Sequence, residues 1–330
     1  MLMCRQRTCH ISQAMGSCFR REGDLPAAKE TMEFALEVQT AAKGAHSAAV
    51  GDTCNSLAII LREQGKDAAA RPLLQRDLGI KKKSVGTNHL SYAATLYNVA
   101  LMLVNDANGA VTPAEKHKKF DAARAHYATV IRIRAAQLGP NHSSIGQVYL
   151  SLGSLHRKQD TNEEAIKCFE KALAILIRTV GPFHHQVAST YNNMAIAIRK
   201  LGRYDEALKM CEKTLAIKKR LMGEEHASVA RTYISMGVIK KYQNKFDEAM
   251  SFYAKAIAIQ TKALGPNHNH VGDSWYNMGN IYQDNYKDTT LALGAFRNAA
   301  RCYRATHGVD HADTLDAEGR IRELQSLAGL

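Results

Sequence analysis

The sequence contains no apolar run long enough to cross a membrane. A membrane-spanning helix needs about 18 consecutive apolar residues, and the most apolar runs among the 330 residues, such as Ala172–Ile177, are short and end at charged residues. With 45% hydrophobic and 23% charged residues, the composition is that of an ordinary globular protein. The sequence therefore predicts a soluble chain without a membrane span.

The motifs that mark common catalytic sites are also missing. There is no phosphate-cradling GxxxxGK, no GxSxG nucleophile turn, no HExxH zinc helix and no GxGxxG after a strand. Pairs of carboxylates such as Glu224 and Glu225 fall in loops or at predicted helix starts. We therefore predict that the protein is not an enzyme and needs no cofactor.

The seven cysteines form neither a CxxC pair nor a close set with histidines at zinc spacing. An odd, scattered set is typical of reduced thiols in the cytosol. The sequence accordingly predicts a cytoplasmic location.

Acidic residues are outnumbered, since 31 Asp and Glu face 44 Lys and Arg and give a net charge of +13. Such an excess attracts acidic partners through a long-range field that salt screens. Charge alone leaves open whether the partner is protein, nucleic acid or lipid.

A short loop recurs through the whole chain. The letters LGPNH stand at 138–142 and again at 264–268, and related glycine-to-histidine loops end at His46, His89, His142, His184, His226, His268 and His311. Successive histidines are 43, 53, 42, 42, 42 and 43 residues apart, so the chain repeats every 42 residues with one insertion. A fixed period of this length indicates a repeat architecture.

A second register defines the unit as a helical hairpin. A small residue precedes an alanine by 12 positions, as in Ala195/Ala207 and Gly237/Ala249, and small residues at matched places let two helices pack closely. The pattern predicts one repeat domain over 1–330. Its repeats span about 5–46, 47–89, 90–142, 143–184, 185–226, 227–268 and 269–311, with a capping helix over 312–328 and an insertion at about 106–117.

The ends of these units carry stop and cap signals. Gly139 and Gly265 are expected to end the second helix with a left-handed residue, and Pro140 and Pro266 prevent its continuation. The histidine that follows lies near the N-cap of the next helix, where its ring is expected to bond backbone amides. In the last helix Arg322 fills the small-residue position, which predicts a terminal cap. The insertion, with Gly109 and Pro113, is expected to be a loop between two helices, either neutral or an extra contact element.

Together, the small residue, the alanine and the bulky residue at Phe169 or Phe296 make the unit resemble the tetratricopeptide repeat. The 42-residue period, the LGPNH loops and the first helices with YNNMA and LYNVA are similar to the kinesin light chain subclass. The resemblance implies an all-α, right-handed α-solenoid of about seven hairpins whose first helices line a groove. Kinesin light chains carry a coiled coil before their repeats. None is visible ahead of the first repeat here, so we expect a bare repeat array.

The resemblance also places the candidate peptide-binding residues. Two residues before the small position lie Asn98, Asn193 and Asn277; an asparagine there can bond the backbone of an extended peptide, or it can bond a neighbouring helix. Four and five residues after it lies a basic ladder, which either binds an acidic or phosphorylated segment or is a solvated face. Its members are Arg62, Arg157, Lys158, Arg199, Lys200 and Lys241. No lysine precedes the asparagine position, so capture of a C-terminal carboxylate is not expected.

A metal site is not expected from the repeated histidines. Equivalent residues of neighbouring repeats lie at least about 8–10 Å apart, whereas zinc needs its nitrogens about 2 Å away. The pairs His184/His185 and His268/His270 lack a third ligand.

Three functions stay open at this point. The first is a non-catalytic adaptor that binds an extended acidic peptide, with a cytoskeletal or motor partner implied by the resemblance. The second is a structural subunit of a microtubule or ciliary assembly, and the third is an RNA-binding helical array, which is less favoured because the groove lacks regular aromatic residues.

Overall fold

The computed structural model describes residues 2–328, with side chains from 11 to 327, and its elements within that range are helical. The prediction of an all-α fold is confirmed. The helices are α1 Leu2–Glu22, α2 Leu25–Lys43, α3 Ala48–Glu63, α4 Asp67–Ser84, α5 Leu90–Asn108, α6 Pro113–Leu138, α7 Ser143–Lys158, α8 Asn162–Val180, α9 His185–Lys200, α10 Tyr204–Met222, α11 Ala227–Tyr242, α12 Phe246–Leu264, α13 Asn269–Ile281, α14 Thr289–His307 and α15 Ala312–Ala328. A π-helical turn, Tyr282–Tyr286, follows α13.

The chain divides into two compact units, residues 1–155 and 156–330. In the first unit α1 packs on α2, α3 on α4 and α5 on α6, and the hairpins are joined by contacts of α2 with α3 and of α4 with α5. In the second unit the same sequential packing runs from α8 through α15. One repeat domain over 1–330 stays a prediction; Met1, Gly329 and Leu330 lie outside the described residues.

The two helices of each hairpin pack closely against each other at the small residues that define the repeat. Ala207 and Ala249 are fully buried, and glycine occurs on the first helix where an aromatic ring of the second helix presses against it. A Cβ added at Gly237 would lie 2.6 Å from the Tyr253 ring, and one at Gly279 would lie 2.8 Å from the Phe296 ring. The small residue and the alanine 12 positions after it therefore mark the place where the two helix backbones of a hairpin approach closely.

The glycines at the joints between hairpins end the second helices as predicted, but their backbone conformation differs from the predicted one. Gly139 and Gly265 have positive φ values of 84° and 93°, but their ψ values of 154° and 157° place them in an extended conformation rather than in the left-handed helical region. Such a conformation is essentially restricted to glycine.

The histidines at the joints cap the following helices, as expected. The Nδ1 atom accepts a hydrogen bond from the backbone N–H two residues later, at 3.1 Å for both His89 and His226 and at 3.2 Å for His142 and His268. A ring nitrogen that accepts such a bond carries no proton, so the neutral form of these histidines is the capping form.

The insertion is not the loop that the sequence predicted. It lengthens α5 to Asn108 and α6 to 26 residues, which leaves only residues 109–112 outside a helix. The reason is a helix start: the Thr112 hydroxyl accepts from the Glu115 backbone N–H at 3.2 Å, Pro113 takes the first helical position, and Glu115 pairs with Lys119 at 2.6 Å.

Polar side chains are buried between neighbouring hairpins at a constant spacing of 14 residues. Each pair joins the second helix of one hairpin to a hydroxyl on the first helix of the next: Gln39 with Thr53, Lys81 with Thr95, Lys218 with Thr232 and Gln260 with Ser274. The four hydroxyl residues are fully buried. This column was not predicted, because its residues lie outside the repeated glycine, histidine, small, asparagine and basic positions.

At the carboxyl end α15 packs on α14 through the buried residues Ala317 and Leu324. Arg322 is exposed on this helix, and its role as a terminal cap stays a prediction. Among the described residues, no helix has the length and apolar character that a membrane crossing requires.

Candidate functional site

The predicted binding residues lie on the first helices of the hairpins. Arg62 on α3 and Asn98 on α5 belong to the first unit, and Arg157, Lys158, Asn193, Arg199, Lys200, Lys241 and Asn277 belong to the second. The surface that these helices present within the second unit is called the first-helix face below.

The asparagine column is partly engaged in local hydrogen bonds. The Nδ2 of Asn193 donates to the Ser189 carbonyl at 2.9 Å, and that of Asn277 donates to the Asp273 carbonyl at 2.8 Å. Asn98 differs, because its Nδ2 donates to the Oδ1 of Asn55 on the preceding first helix at 2.9 Å. Asn193 and Asn277 each keep a second N–H and a carbonyl oxygen that make no further hydrogen bond within the described residues, whereas Asn98 bonds the neighbouring helix.

Several cations of the ladder are paired within the chain. Lys200 forms an ion pair with Asp160, and the Nε of Arg62 lies 3.5 Å from the Oδ1 of Asp67. That Arg62 contact is an ion pair without a good hydrogen bond, since both atoms are buried and a well-formed bond is nearer 2.9 Å. Asp160 lies in the turn before α8 and Asp67 is the first residue of α4, so these acids neutralise part of the ladder before any ligand binds.

Arg157 and Lys158 are half-buried at the end of α7. Burial lowers the pKa of the Arg157 guanidinium, and Asp160 opposes the shift; burial, followed by the Arg157 charge, lowers the pKa of Lys158. Desolvation of this kind costs free energy that an anionic ligand would recover in part.

Arg199 lies over the ring of Tyr242, with its guanidinium carbon 5.0 Å from the ring centroid. It also lines a small pocket of about 180 Å³, together with Cys211, Ser235 and Val238. A cation held on an aromatic face keeps its N–H groups directed outward.

A larger pocket of about 420 Å³ joins two of the predicted residues. Lys241 from α11 and Asn277 from α13 both line it, and the rest of the wall comes from Val238, Tyr242, Asn244, Phe246, Tyr253 and Asn285. Val238 borders both pockets, so they are neighbours on the first-helix face.

The Tyr253 hydroxyl is an unusual feature of the larger pocket. The side chain is fully buried, and its oxygen has no hydrogen-bond partner among the described residues. Burial raises the pKa of this phenol, and the Arg199 charge opposes the shift only in part, so the group is a neutral donor at physiological pH. Buried hydroxyls without a partner are uncommon and costly.

The aromatic residues of the pocket were not among the predicted binding residues, which were all placed on the first helices. Phe246 and Tyr253 come from α12, while Tyr242 occupies the ladder position that holds Lys158 or Lys200 in other repeats. That last substitution was visible in the sequence.

One group of side chains has the composition of a metal site. His307, His311 and Asp313 are exposed and bring one potential ligand atom each to within 4.8 Å of the others. The separation of at least about 8–10 Å applies to equivalent histidines of neighbouring repeats. His307 is not one of these joint histidines, so that separation does not apply to it.

Hairpins stacked in sequence, with a pocketed face formed by their first helices, define a helical-repeat protein that presents a binding surface. The family model for the tetratricopeptide repeat matches residues 8–83, 114–178, 144–197 and 186–262, which is more than half of the chain. The chain therefore belongs to the tetratricopeptide repeat family. Members of this family generally act as non-catalytic scaffolds for protein–protein interaction.

Solved structures share the fold at low sequence identity. A tetratricopeptide repeat protein from Parabacteroides merdae superposes with a TM-score of 0.59 at 16% identity and covers 97% of this chain and 99% of its own. BtubC (BKLC) from P. vanneervenii gives 0.55 at 18% identity, over 78% of this chain and 91% of its own. A kinesin light chain-like repeat protein from Podospora anserina gives 0.53 at 20% identity, over 66% and 97%.

A curated relative is a TPR repeat-containing protein of Dictyostelium discoideum, 23% identical over 155 residues. That match covers 47% of this chain but only 9% of the relative's length. The solved structures show the fold, and the family rests on the match of the family model.

Proposed function

We propose that the protein is a non-catalytic adaptor whose first-helix face binds an extended, acidic protein segment. The observation that carries the proposal is the larger pocket, in which Lys241 and Asn277 line one space. An ammonium and an amide together supply charge and directed donors for a carboxylate or phosphate oxygen.

Asn193 and Arg199 extend the proposed site along the same face. Arg199 already borders the smaller pocket beside Val238, and Asn193 lies two residues before Ala195 of that pocket wall. A chain that runs from one pocket to the next would meet a cation at each. Arg157, Lys158 and Lys200 add positive charge in the same unit, although Lys200 is paired with Asp160.

Asn98 and Arg62 have less support as ligand contacts, because Asn55 and Asp67 already engage them. A cytoskeletal, microtubule or ciliary partner, a cytoplasmic location and RNA binding stay predictions of the sequence, since relatives below 25% identity indicate only the fold.

The experiment compares fluorescein-labelled peptides rich in Asp and Glu, with and without one phosphoserine, against a lysine-rich peptide of equal length. We expect fluorescence anisotropy to show binding of the acidic peptides only. Replacing both Lys241 and Asn277 by Ala should weaken that binding at least about tenfold, because hydrogen bonds to charged groups contribute about 1.5–3 kcal/mol each and tenfold is about 1.4 kcal/mol.

A control variant separates a site from general charge attraction. Lys209→Ala removes one exposed cation outside the pockets and should have little effect. An equal loss in Lys209→Ala and the double variant, or unchanged binding in the double variant, would reject the pocket as the site.

A further inference from the structure

The joint between α14 and α15 differs from every other joint in its side chains. His307 is the last residue of α14, and Gly308, with φ 91°, ends that helix. His311 then occupies the joint position, where its Nδ1 accepts from the Asp313 backbone N–H at 3.3 Å. Asp313 is in the first turn of α15. Two imidazoles and one carboxylate thus meet where two helices are connected.

The distances among these groups are close to those of a metal-ligand set. The Nδ1 atoms of His307 and His311 lie 3.7 and 3.5 Å from the Oδ2 of Asp313, and the two rings are 4.2 Å apart at their centroids. Zinc–ligand bonds of about 2.0–2.1 Å at tetrahedral angles set neighbouring ligand atoms about 3.3 Å apart. Small side-chain rotations would therefore bring all three atoms onto one ion, and the ion would replace the Asp313 N–H as the partner of the His311 Nδ1.

Surrounding contacts hold the ligands in place. The Nε2 of His307 lies 3.1 Å from the Nδ2 of Asn269, and the Tyr303 ring stacks on the His307 ring with an interplanar angle of 5°. The Thr314 hydroxyl donates to the Gly308 carbonyl at 2.8 Å and fixes the joint. An ion on the Nδ1 of His307 leaves the ring proton on Nε2, so the Asn269 amide would have to turn its oxygen toward the ring to keep this contact.

The other joints lack this combination. Four residues before the joint histidine they carry Ala42, Val85, Leu138, Val180, Met222 or Leu264 in place of His307, and two residues after it they carry Ala48, Ser91, Ser144, Gln186, Ser228 or His270 in place of Asp313. The pattern His-x3-His-x-Asp at 307–313 is therefore a departure from the repeat, and capping alone does not require it.

The donor set selects the kind of ion. Imidazole nitrogens suit zinc, copper, nickel and iron, whereas calcium and magnesium prefer oxygen ligands. We propose that His307, His311 and Asp313 bind one divalent transition-metal ion of the zinc class and thereby fasten the end of α14 to the start of α15. Three protein ligands leave a coordination position for water.

The test is isothermal titration of zinc chloride into the full chain after treatment with a chelator. One site should saturate in the unmodified protein, and His307→Ala and Asp313→Asn should each weaken it at least tenfold. His184→Ala is the matched control, because His184 caps α9 beside His185, with 4.1 Å between ring centroids, but has no third ligand in the described structure. Its zinc affinity should equal that of the unmodified protein, and equal affinity in the His307 variant would overturn the proposal.

A second measurement avoids any question of whether a variant folds. Diethyl pyrocarbonate modifies exposed histidines, and mass spectrometry locates the modified residues in the unmodified protein with and without zinc. Zinc should protect His307 and His311 while leaving the exposed His142 and His185 reactive. Protection that is absent, or equal at all four histidines, would reject the site.

Discussion

The contact between Gly237 and Tyr253 makes a prediction whose magnitude follows from the structure. A Cβ at Gly237 would lie 2.6, 2.9 and 3.0 Å from three atoms of the Tyr253 ring, and that ring is fully buried. Gly237→Ala gains about 0.8–1.0 kcal/mol of helix propensity, while overpacking a core costs about 1–3 kcal/mol. The expected net effect lies between no change and a loss of about 2 kcal/mol.

Gly294 provides the matched control, because it lies exposed within α14 and an added Cβ meets nothing within 4 Å. Gly294→Ala should stabilise the protein by about 0.8–1.0 kcal/mol. The two substitutions should therefore differ by about 1–3 kcal/mol, although the chemical change and the secondary structure are the same.

The preceding hairpin supplies a compensating change. There Ala195 stands at the Gly237 position, and the residue at the Tyr253 position is the smaller Cys211. Tyr253→Cys alone should cost about 3–5 kcal/mol, as for other large-to-small changes of buried aromatics. Adding Gly237→Ala should then cost nothing, since the ring it would strike is gone, and the coupling between the two sites should be about 1–3 kcal/mol.

Chemical denaturation followed by circular dichroism gives the overall stability, and hydrogen exchange of the α11 and α12 peptides gives the local stability. The local measurement is needed because long repeat chains do not reliably unfold in one step. If Gly237→Ala proved as stabilising as Gly294→Ala, the ring would be free to move aside and the close-approach explanation of the repeat register would fail.

Two further predictions concern capping and titration. His226→Ala should destabilise α11 by about 0.5–2 kcal/mol through loss of the Ser228 N–H bond, whereas His226→Asn should retain most of it; equal exchange rates at the start of α11 in both variants would contradict this role. Burial, followed by the Arg231 charge, lowers the pKa of Lys218 to about 8, so the unfolded chain binds the proton more tightly than the folded one and stability should rise from about pH 8 towards about pH 10.4. The free energy of unfolding of the unmodified protein should rise over that range relative to that of Lys218→Met. A constant difference between the two would show that Lys218 is not desolvated.

Local and periodic features were the ones that the sequence made predictable. The joint histidines and the small residues recur at fixed spacing, and their roles depend on residues a few positions away or on the facing helix of the same hairpin. The capping by His142 and His268 and the close packing at Gly237 were foreseen for this reason.

Features that depend on neighbouring hairpins were missed. Asp160 pairs with Lys200 across 40 residues, and Tyr253 lines the pocket from a second helix. Neither residue occupies one of the repeated first-helix positions from which the binding residues were predicted. The insertion was misread for a local reason, because the Thr112–Glu115 cap was not recognised as a helix start.

The buried pairs between hairpins also bear on how the chain avoids assembling wrongly. Near-identical repeats can dock on the wrong neighbour while the chain folds, which is a known hazard of repeat proteins. Two of these pairs join an amide to a hydroxyl, Gln39–Thr53 and Gln260–Ser274, and two join an ammonium to a hydroxyl, Lys81–Thr95 and Lys218–Thr232. Docking on a surface that lacks the hydroxyl would leave the amide or the ammonium one hydrogen bond short, at a cost of about 1–3 kcal/mol. The four pairs thus make these hairpins selective for neighbours that carry the hydroxyl at this position.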